Sequence, residues 1–160
     1  MSGVDATADI PVTATSTNDP QLISLPDTKI VTYGVADYEL VERNGIRSIK
    51  VNQAGTYKVQ GNIGIRCVNY KAAYFRVGIV KINSAGTVAS ITSTTEAIEN
   101  SADNVSIAGV FAIGARILSL NAGDVIALGA SRAGATTGDG SDLRVAYDGN
   151  TALFVERVDN

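Results

Sequence analysis

The sequence that decides the fold runs from Val51 to Cys67 and reads V-N-Q-A-G-T-Y-K-V-Q-G-N-I-G-I-R-C. From Tyr57 onward every second residue is apolar or small, and the residues between them are polar or glycine. Only a strand with one face buried and the other toward water explains this period of two. Similar patterns return in Ser119–Leu128 and Ala152–Val158. These three stretches predict a fold built from strands.

The composition describes a globular chain with few charges on its surface. Of its 160 residues, 45% are hydrophobic and 18% are charged, and the chain is long enough to bury a core without a disulfide or a metal. The net charge is −3, and lysine and arginine form no cluster. Nucleic acid and anionic membranes are therefore excluded as partners. A surface rich in Ser, Thr, Asn and Gly suits assembly with other subunits.

The sequence predicts neither a secretory signal nor a membrane span. The first ten residues lack the apolar core that a signal peptide requires. The most apolar stretch, residues 107–120, contains Arg116 and is shorter than the roughly 20 residues that span a bilayer. The single cysteine, Cys67, falls on the apolar phase of its strand, so we expect a small core side chain without a redox role.

The first 27 residues differ in composition from the rest. All three prolines of the chain, Pro11, Pro20 and Pro26, lie there, together with four aspartates and no base. A segment this polar buries too little apolar surface to offset the entropy of its own ordering. We therefore predict an extended N-terminal arm at residues 1–27, held by a neighbouring subunit or another protein, and a domain at residues 28–160.

From residue 28 onward, short strand-like runs alternate with turns. Residues that tolerate a positive φ mark the turns at Asn44-Gly45, Asn83–Gly86, Asn121–Asp124 and Asp148–Asn150. Helix signals are nearly absent, and the one candidate, residues 95–100, is interpreted as a single turn or a loop. Many short strands without intervening helices predict an all-β sandwich or barrel. The ten predicted strands lie near residues 28–33, 38–42, 46–51, 55–67, 73–82, 86–92, 104–120, 124–131, 142–147 and 151–158.

Two of these strands are apolar on both faces. In residues 105–114 large apolar residues alternate with small ones, and residues 72–80 behave likewise. A small apolar second face is a poor surface to leave in water and suits contact with another subunit. The residues predicted for that contact are Tyr74, Arg76, Val110 and Ala112.

Three phrases of the sequence resemble a known family. They are Q-A-G-T-Y-K-V at Gln53–Val59, L-N-A-G-D-V-I-A-L at Leu120–Leu128, and L-R-V at Leu143–Val145 followed by Gly149–Val158. Together they resemble the TNF-like jelly roll of the complement-type globular head, in the form found in bacteria and their phages. The resemblance covers about residues 28–158. It implies an all-β, ten-stranded antiparallel jelly-roll sandwich that forms a homotrimer.

The sequence departs from that family in what accompanies the globular head. It has neither the Gly-X-Y repeats nor the heptads that form stalks in relatives, and no repetitive shaft. A trimer that carries only short acidic arms is more typical of a decoration or cement protein on a phage capsid. The resemblance therefore implies a virion structural protein that is made in the host cytoplasm without a signal peptide and binds the capsid surface.

Catalysis has little support in the sequence. Histidine is absent, which excludes Ser-His-Asp and Cys-His arrangements. The acid pairs Asp139/Asp142 and Glu96/Glu99 are interpreted as solvated acids rather than as a hydrolytic pair. Asp139, Asp142 and Asp148 form a weak set of calcium ligands, because Asp-rich segments usually mark turns. We predict no enzyme activity and no cofactor.

The predicted function is mechanical. Trimers are expected to bridge the major capsid protein and neighbouring cement subunits, and so to stabilise the head. The apolar residues expected to anchor the arm to the capsid are Ile10, Val12, Leu22, Ile23 and Leu25. Two alternatives stay open. One is a trimeric receptor-binding tip of a phage tail or fibre, whose loops 93–103 and 132–142 contact the host, and the other is a secreted bacterial adhesive or lectin-like module.

Overall fold

The computed structural model describes residues 10–14, 20–25, 37–68, 72–99, 107–132, 142–145 and 151–158. These residues form eleven strands and no helix, which confirms the prediction of an all-β fold. The strands are β1 (Ile10–Pro11), β2 (Gln21–Ile23), β3 (Tyr38–Arg43), β4 (Ile46–Val51), β5 (Gly55–Val68), β6 (Ala72–Ile82), β7 (Val88–Glu99), β8 (Ile107–Leu120), β9 (Val125–Arg132), β10 (Asp142–Val145) and β11 (Ala152–Arg157).

The alternation in β5 is reproduced in its burial. Tyr57 and Val59 are completely buried, whereas Lys58 between them is half-buried. A Cβ on Gly61 would lie 2.9 Å from Leu128 Cδ2, which belongs to the other sheet. Glycine at this position therefore lets the two sheets approach each other closely.

The first antiparallel sheet is built around β5. Strand β8 pairs along one edge of β5, and β10 and β11 follow each other along its other edge. Strand β1 pairs with the free edge of β10. Gln60 of β5 stands opposite two residues of β8, Gly114 and Ala115, because the register shifts there. This irregularity is a β-bulge, and it changes which residues of β8 face the core.

The second antiparallel sheet has the strand order β3-β4-β9-β6-β7. Strand β6 pairs along one edge of β9. On the other edge β4 pairs at Val125 and Ile126, and β2 pairs at residues 128–130. Strand β2 therefore continues the row that β4 begins. The β3–β4 hairpin turns at Asn44 and Gly45, whose φ values of 53° and 75° are those of the predicted Asn-Gly turn.

The hydrophobic core lies between the two sheets, an arrangement consistent with a β-sandwich. Phe75 of β6 and Phe111 of β8 meet edge to face across it, with ring centroids 4.8 Å apart. The buried members of the core are Val12, Ile23, Leu25, Val51, Tyr57, Val59, Ile63, Ile65, Phe75, Val77, Ile79, Ile113, Leu120, Ile126, Leu128, Ala130 and Val145.

Three predictions about the strands need comment. The interpretation of residues 95–100 as a turn or loop was wrong, because β7 continues to Glu99 and pairs with β6 along that length. Pairing with a neighbouring strand outweighs the local helix propensity of a short Glu- and Ala-containing stretch. The count of ten strands in residues 28–160 stays a prediction: nine of them correspond to β3–β11, and the short strands β1 and β2 lie in the predicted arm, where the sequence predicted none. The strand predicted at residues 28–33 lies outside the described residues.

Candidate interaction surface

Four large apolar side chains are exposed on the sheet around β5. Ile117 is 62% exposed, Phe154 52%, Val110 50% and Val158 45%. Exposed apolar residues that occur singly need no explanation, but a group on one sheet marks a surface that favours contact with a partner.

The register of the strands places these residues on the same side of the sheet. Ile117 stands opposite Lys58, and Phe154 stands opposite Gln60. Lys58 and Gln60 alternate along β5 with completely buried residues, so this side of the sheet is its outward side. The outward apolar face is defined here as Val110, Ala112, Ile117, Phe154 and Val158.

The bulge in β8 places Ile117 on this outward side. Ile113 before the bulge and Leu120 after it are both buried, although a regular alternation would put them on opposite sides of the strand. The extra residue opposite Gln60 reverses the phase between them. If the same sequence paired with β5 without a bulge, Ile117 would share the inward phase of Ile113. Val110 was predicted for a subunit contact and Ile117 was not, because a sequence period of two does not reveal where a bulge occurs.

The four residues predicted for the subunit contact do not lie on one sheet face. Val110 and Ala112 are exposed on β8 of the first sheet. Tyr74 and Arg76 belong to β6 of the second sheet, where Arg76 is half-buried and alternates with the inward-facing Phe75. The structure therefore brings the first two residues together with Ile117 and Phe154 and places the other two elsewhere.

Most of the predicted arm anchors pack against the body of the chain itself. Val12 and Ile23 are completely buried, Leu25 is 7% exposed, and all three belong to the core. Leu22 is half-buried, and the backbone of Ile10 pairs with Val145. In this conformation Val12, Ile23 and Leu25 offer no surface to a capsid. Their role as capsid anchors, like the boundary between arm and domain at residue 27, stays a prediction.

This part of the chain is held at both sheets, by the pairing of β1 with β10 of the first sheet and by hydrogen bonds to β9 and β4 of the second. We call residues 10–14 and 20–25 the N-terminal segment. Arg132 of β9 donates from Nε to the carbonyl oxygen of Val12 at 2.6 Å and from its backbone N–H to the carbonyl oxygen of Ala14 at 2.7 Å. The backbone N–H of Leu25 donates to the carbonyl oxygen of Arg47 at 3.0 Å. The segment therefore starts on the first sheet, crosses to the second and ends beside β4.

Strand β9 is buried on both of its sides. Every residue from Val125 to Ser131 is buried, including those that alternate with the core residues. Pro20 of the N-terminal segment covers one of the outward positions, since a Cβ on Gly129 would lie 3.2 Å from Pro20 Cβ and 2.7 Å from Val80 Cγ2. The chain thus covers part of the outward side of its second sheet with its own N-terminal segment.

A polar cluster joins the two sheets at one end of the molecule. The Nη1 atom of Arg157, on β11, lies 3.4 Å from Asp37 Oδ1 and donates a hydrogen bond to Gln53 Oε1 at 2.7 Å. Its backbone N–H donates to the hydroxyl of Tyr38 on β3, and the Tyr38 ring meets Tyr57 edge-on at 6.0 Å. Burial raises the pKa of the Tyr38 phenol above its usual value. This cluster ties the last strand to β3 and has a structural role.

An ion pair between a buried aspartate and a partly exposed lysine stabilises the turn between β8 and β9. Lys81 Nζ lies 2.7 Å from Asp124 Oδ2, and the Asp124 side chain is 2% exposed. The same oxygen accepts a hydrogen bond from the backbone N–H of Asn121 at 2.9 Å. The sequence predicted this turn but not its lysine partner, which comes from the distant strand β6.

Of the three weak calcium candidates, only Asp142 lies within the described residues, so the set stays a prediction. Asp142 begins β10, whereas Asp139 and Asp148 lie outside the described residues. In the ranges that the structure describes, no group of three or more His, Cys, Asp or Glu side chains could hold a metal ion. Glu96 and Glu99 are on β7. A helix that is long and apolar enough to cross a membrane is likewise not found among the described residues.

Comparison of the sequence with protein-family models and with curated proteins finds no match.

Proposed function

We propose that this chain is a structural protein of a virus particle, a homotrimeric jelly roll that binds the surface of a phage capsid and cements it. Its partners are two further copies of itself, the major capsid protein and neighbouring cement subunits. The mechanism is mechanical, because trimers that bridge capsid subunits add interface area where the pressure of the packaged DNA pulls those subunits apart.

The order of the strands supports the jelly-roll part of the proposal. Going along the chain, β4, β5 and β6 alternate between the two sheets, and so do β7, β8, β9 and β10. The long strands consequently pair with partners distant in sequence, as β5 does with β8 and β11, and β9 does with β4 and β6. Such repeated crossing between two antiparallel sheets is typical of a jelly roll.

The outward apolar face is the observation that carries the assembly part of the proposal. Ile117 and Phe154 are each more than half exposed to water. Burial of such side chains between copies contributes about 25 cal/mol per Å² of apolar area. The polar residues of β5 between them, Lys58 and Gln60, supply hydrogen-bonding groups at the same surface. An apolar surface crossed by a polar row is typical of specific interfaces between folded subunits.

The location of the outward apolar face leaves other surfaces of a trimer available for binding to a capsid. A contact that uses one sheet face of each copy leaves the second sheet and the ends of the sandwich free to bind other proteins. The ion-poor surface, with 18% charged residues in the chain, limits the desolvation cost of such contacts. Binding to both its own copies and the capsid protein is therefore compatible with one small domain.

The first test is the copy number of this chain relative to the major coat protein in purified particles from its source, measured by quantitative mass spectrometry. Hundreds of copies per particle are expected for a cement protein. A few tens of copies or fewer would overturn the cement role and favour the receptor-binding tip of a tail or fibre. Addition of the purified protein to particles that lack it provides a second test, since a cement protein should bind them and raise the temperature at which they release DNA.

A further inference from the structure

The N-terminal segment occupies positions that would otherwise be open sheet edges. Strand β2 pairs with β9 at residues 128–130, beyond the point where β4 stops, and β1 pairs with the outer edge of β10. Unpaired edges of this kind accept an additional strand from any chain that presents the right side chains. The segment therefore binds its own body in the same manner as a peptide that is added to a sheet.

The contacts that hold the segment do not depend on which copy supplies it. They consist of backbone pairing, of the burial of Val12, Ile23 and Leu25, and of the hydrogen bonds that Arg132 donates to backbone carbonyls. The segment of a second, identical chain makes the same contacts. Docking within one chain and docking between two chains consequently differ only in the path of the connection to β3.

The connection is longer than docking within one chain requires. Leu25 is hydrogen-bonded to Arg47, and Asp37 is hydrogen-bonded to Asn52, so the two ends of the connection lie beside the two ends of β4. Those ends are about 17 Å apart, at roughly 3.3 Å per residue of strand. Residues 26–36 can span about 36 Å when extended. The connection therefore does not confine the segment to the docking site of its own chain.

Proline favours an extended path at the start of this connection. Pro26 follows Leu25 directly in the sequence, and the residue before a proline is restricted to extended backbone. Leu25, the last described residue before the connection, is therefore held in extended backbone. Within an assembly, a neighbouring docking site is presented at an effective concentration in the millimolar range.

We propose that in the assembled protein the N-terminal segment of each copy docks on an adjacent copy, at the edges of β9 and β10 where a single chain docks its own segment. The partner is a second copy of this chain. The inference rests on the proposed function in one respect only, namely that copies of the chain assemble. Exchanged segments link the copies without any new contact, and they make each copy depend on its neighbour for part of its core.

A disulfide between the segment and β9 distinguishes the two arrangements. Gln21 and Ala130 are register partners, and the Cα separation of paired strands suits a disulfide. The full-length double variant Gln21→Cys/Ala130→Cys is prepared with Cys67→Ala, oxidised while assembled, and analysed on a non-reducing gel with peptide mapping. The matched control is Glu39→Cys/Lys50→Cys, which joins two register partners of the β3–β4 hairpin and forms its bond within one chain in either arrangement.

If the segments are exchanged, most of the test variant should run on the gel as covalent dimers or larger species, and the peptides joined by the disulfide should carry positions 21 and 130. The control should run as a monomer. A test variant that forms this bond only within single chains, in a sample that light scattering shows to be oligomeric, overturns the exchange and leaves the proposed assembly intact. A monomeric sample overturns the proposed assembly itself. Failure of the bond to form, when the control bond forms, also overturns the exchange, because both arrangements need residue 21 beside residue 130.

Discussion

The two sheets differ in what covers their outward sides. In the sheet around β9, both sides of that strand are buried, and Pro20 of the N-terminal segment lies over Gly129. In the sheet around β5, the outward side exposes Ile117 and Phe154. The chain thus supplies cover for its second sheet and leaves the first with an apolar face in water. In our proposal, that face is buried when copies assemble. Folding of one chain thus buries the outward side of β9, whereas the outward side of the first sheet is buried by association.

The largest expected effect comes from removal of an apolar side chain of the N-terminal segment. We expect Ile23→Ala to lower the free energy of unfolding by about 2–5 kcal/mol, because Ile23 is completely buried and its loss leaves a cavity. Leu40→Ala is the control, since Leu40 is 39% exposed, and its loss should be about 1 kcal/mol, well below that of Ile23→Ala. Urea titration measures both. Equal losses would show that the segment does not form part of the core in solution.

A smaller effect is expected where Pro20 approaches Gly129. A methyl group at that position would lie 2.7 Å from Val80 Cγ2, so Gly129→Ala should destabilise the fold by about 1–3 kcal/mol through overpacking. The matched control is Gly114→Ala on β8, where a Cβ would meet nothing within 4 Å. Thermal unfolding of the two variants compares a covered position with an open one. Similar melting temperatures would contradict the close cover over β9.

The outward apolar face is tested by a change that leaves the core intact. We expect Ile117→Asp to raise the dissociation constant of self-association roughly tenfold or more, equivalent to about 1.4 kcal/mol, because a charge then has to be buried at the contact. Leu40→Asp introduces the same charge at an exposed residue of the other sheet and should leave association unchanged. Sedimentation equilibrium provides the measurement. An unaltered constant for Ile117→Asp would remove this face from the interface.

The smallest effect concerns the link between the sheets at Tyr38. Burial raises the pKa of the Tyr38 phenol in the folded chain, whereas in the unfolded chain this pKa stays near its usual value of about 10. Above pH 10 the unfolded chain therefore releases the proton more readily than the folded chain does. The contribution to stability is therefore complete below pH 10 and is lost as the pH rises through the folded pKa. We expect Tyr38→Phe to make the decline of unfolding free energy above pH 10 shallower. An identical slope in denaturant titrations at pH 9 and pH 11 would refute this assignment.

Part of each sheet follows from local sequence patterns. The alternation around Tyr57 and Val59 identifies β5 and its buried side, because a period of two has only one structural explanation. The Asn44-Gly45 pair likewise identifies the hairpin turn between β3 and β4. In these regions the conformation is determined by residues that are close in sequence, so the sequence alone is sufficient to predict it.

The candidate surface and the N-terminal segment were harder to predict for physical reasons. Val12, Ile23 and Leu25 stand among polar residues and prolines, and strands of two or three residues show no period. Their burial depends on contacts with β9 and β4, which are distant in sequence. Ile117 was missed because its orientation depends on a bulge, and Arg76 was grouped with Val110 because sequence alone does not assign strands to sheets. In each case the deciding contact is a tertiary one.

The bulge opposite Gln60 has a consequence for how β8 tolerates changes in length. Deletion of either Gly114 or Ala115 would remove the extra residue, restore regular pairing, and leave Leu118 and Leu120 toward the core and Ile117 toward water. A single deletion between Ile117 and Leu120 that keeps the bulge would instead turn Leu120 toward water. The bulge is therefore a point in β8 where one residue can be lost without changing the surface that a partner meets, so related sequences that share this surface should tolerate a difference of one residue here.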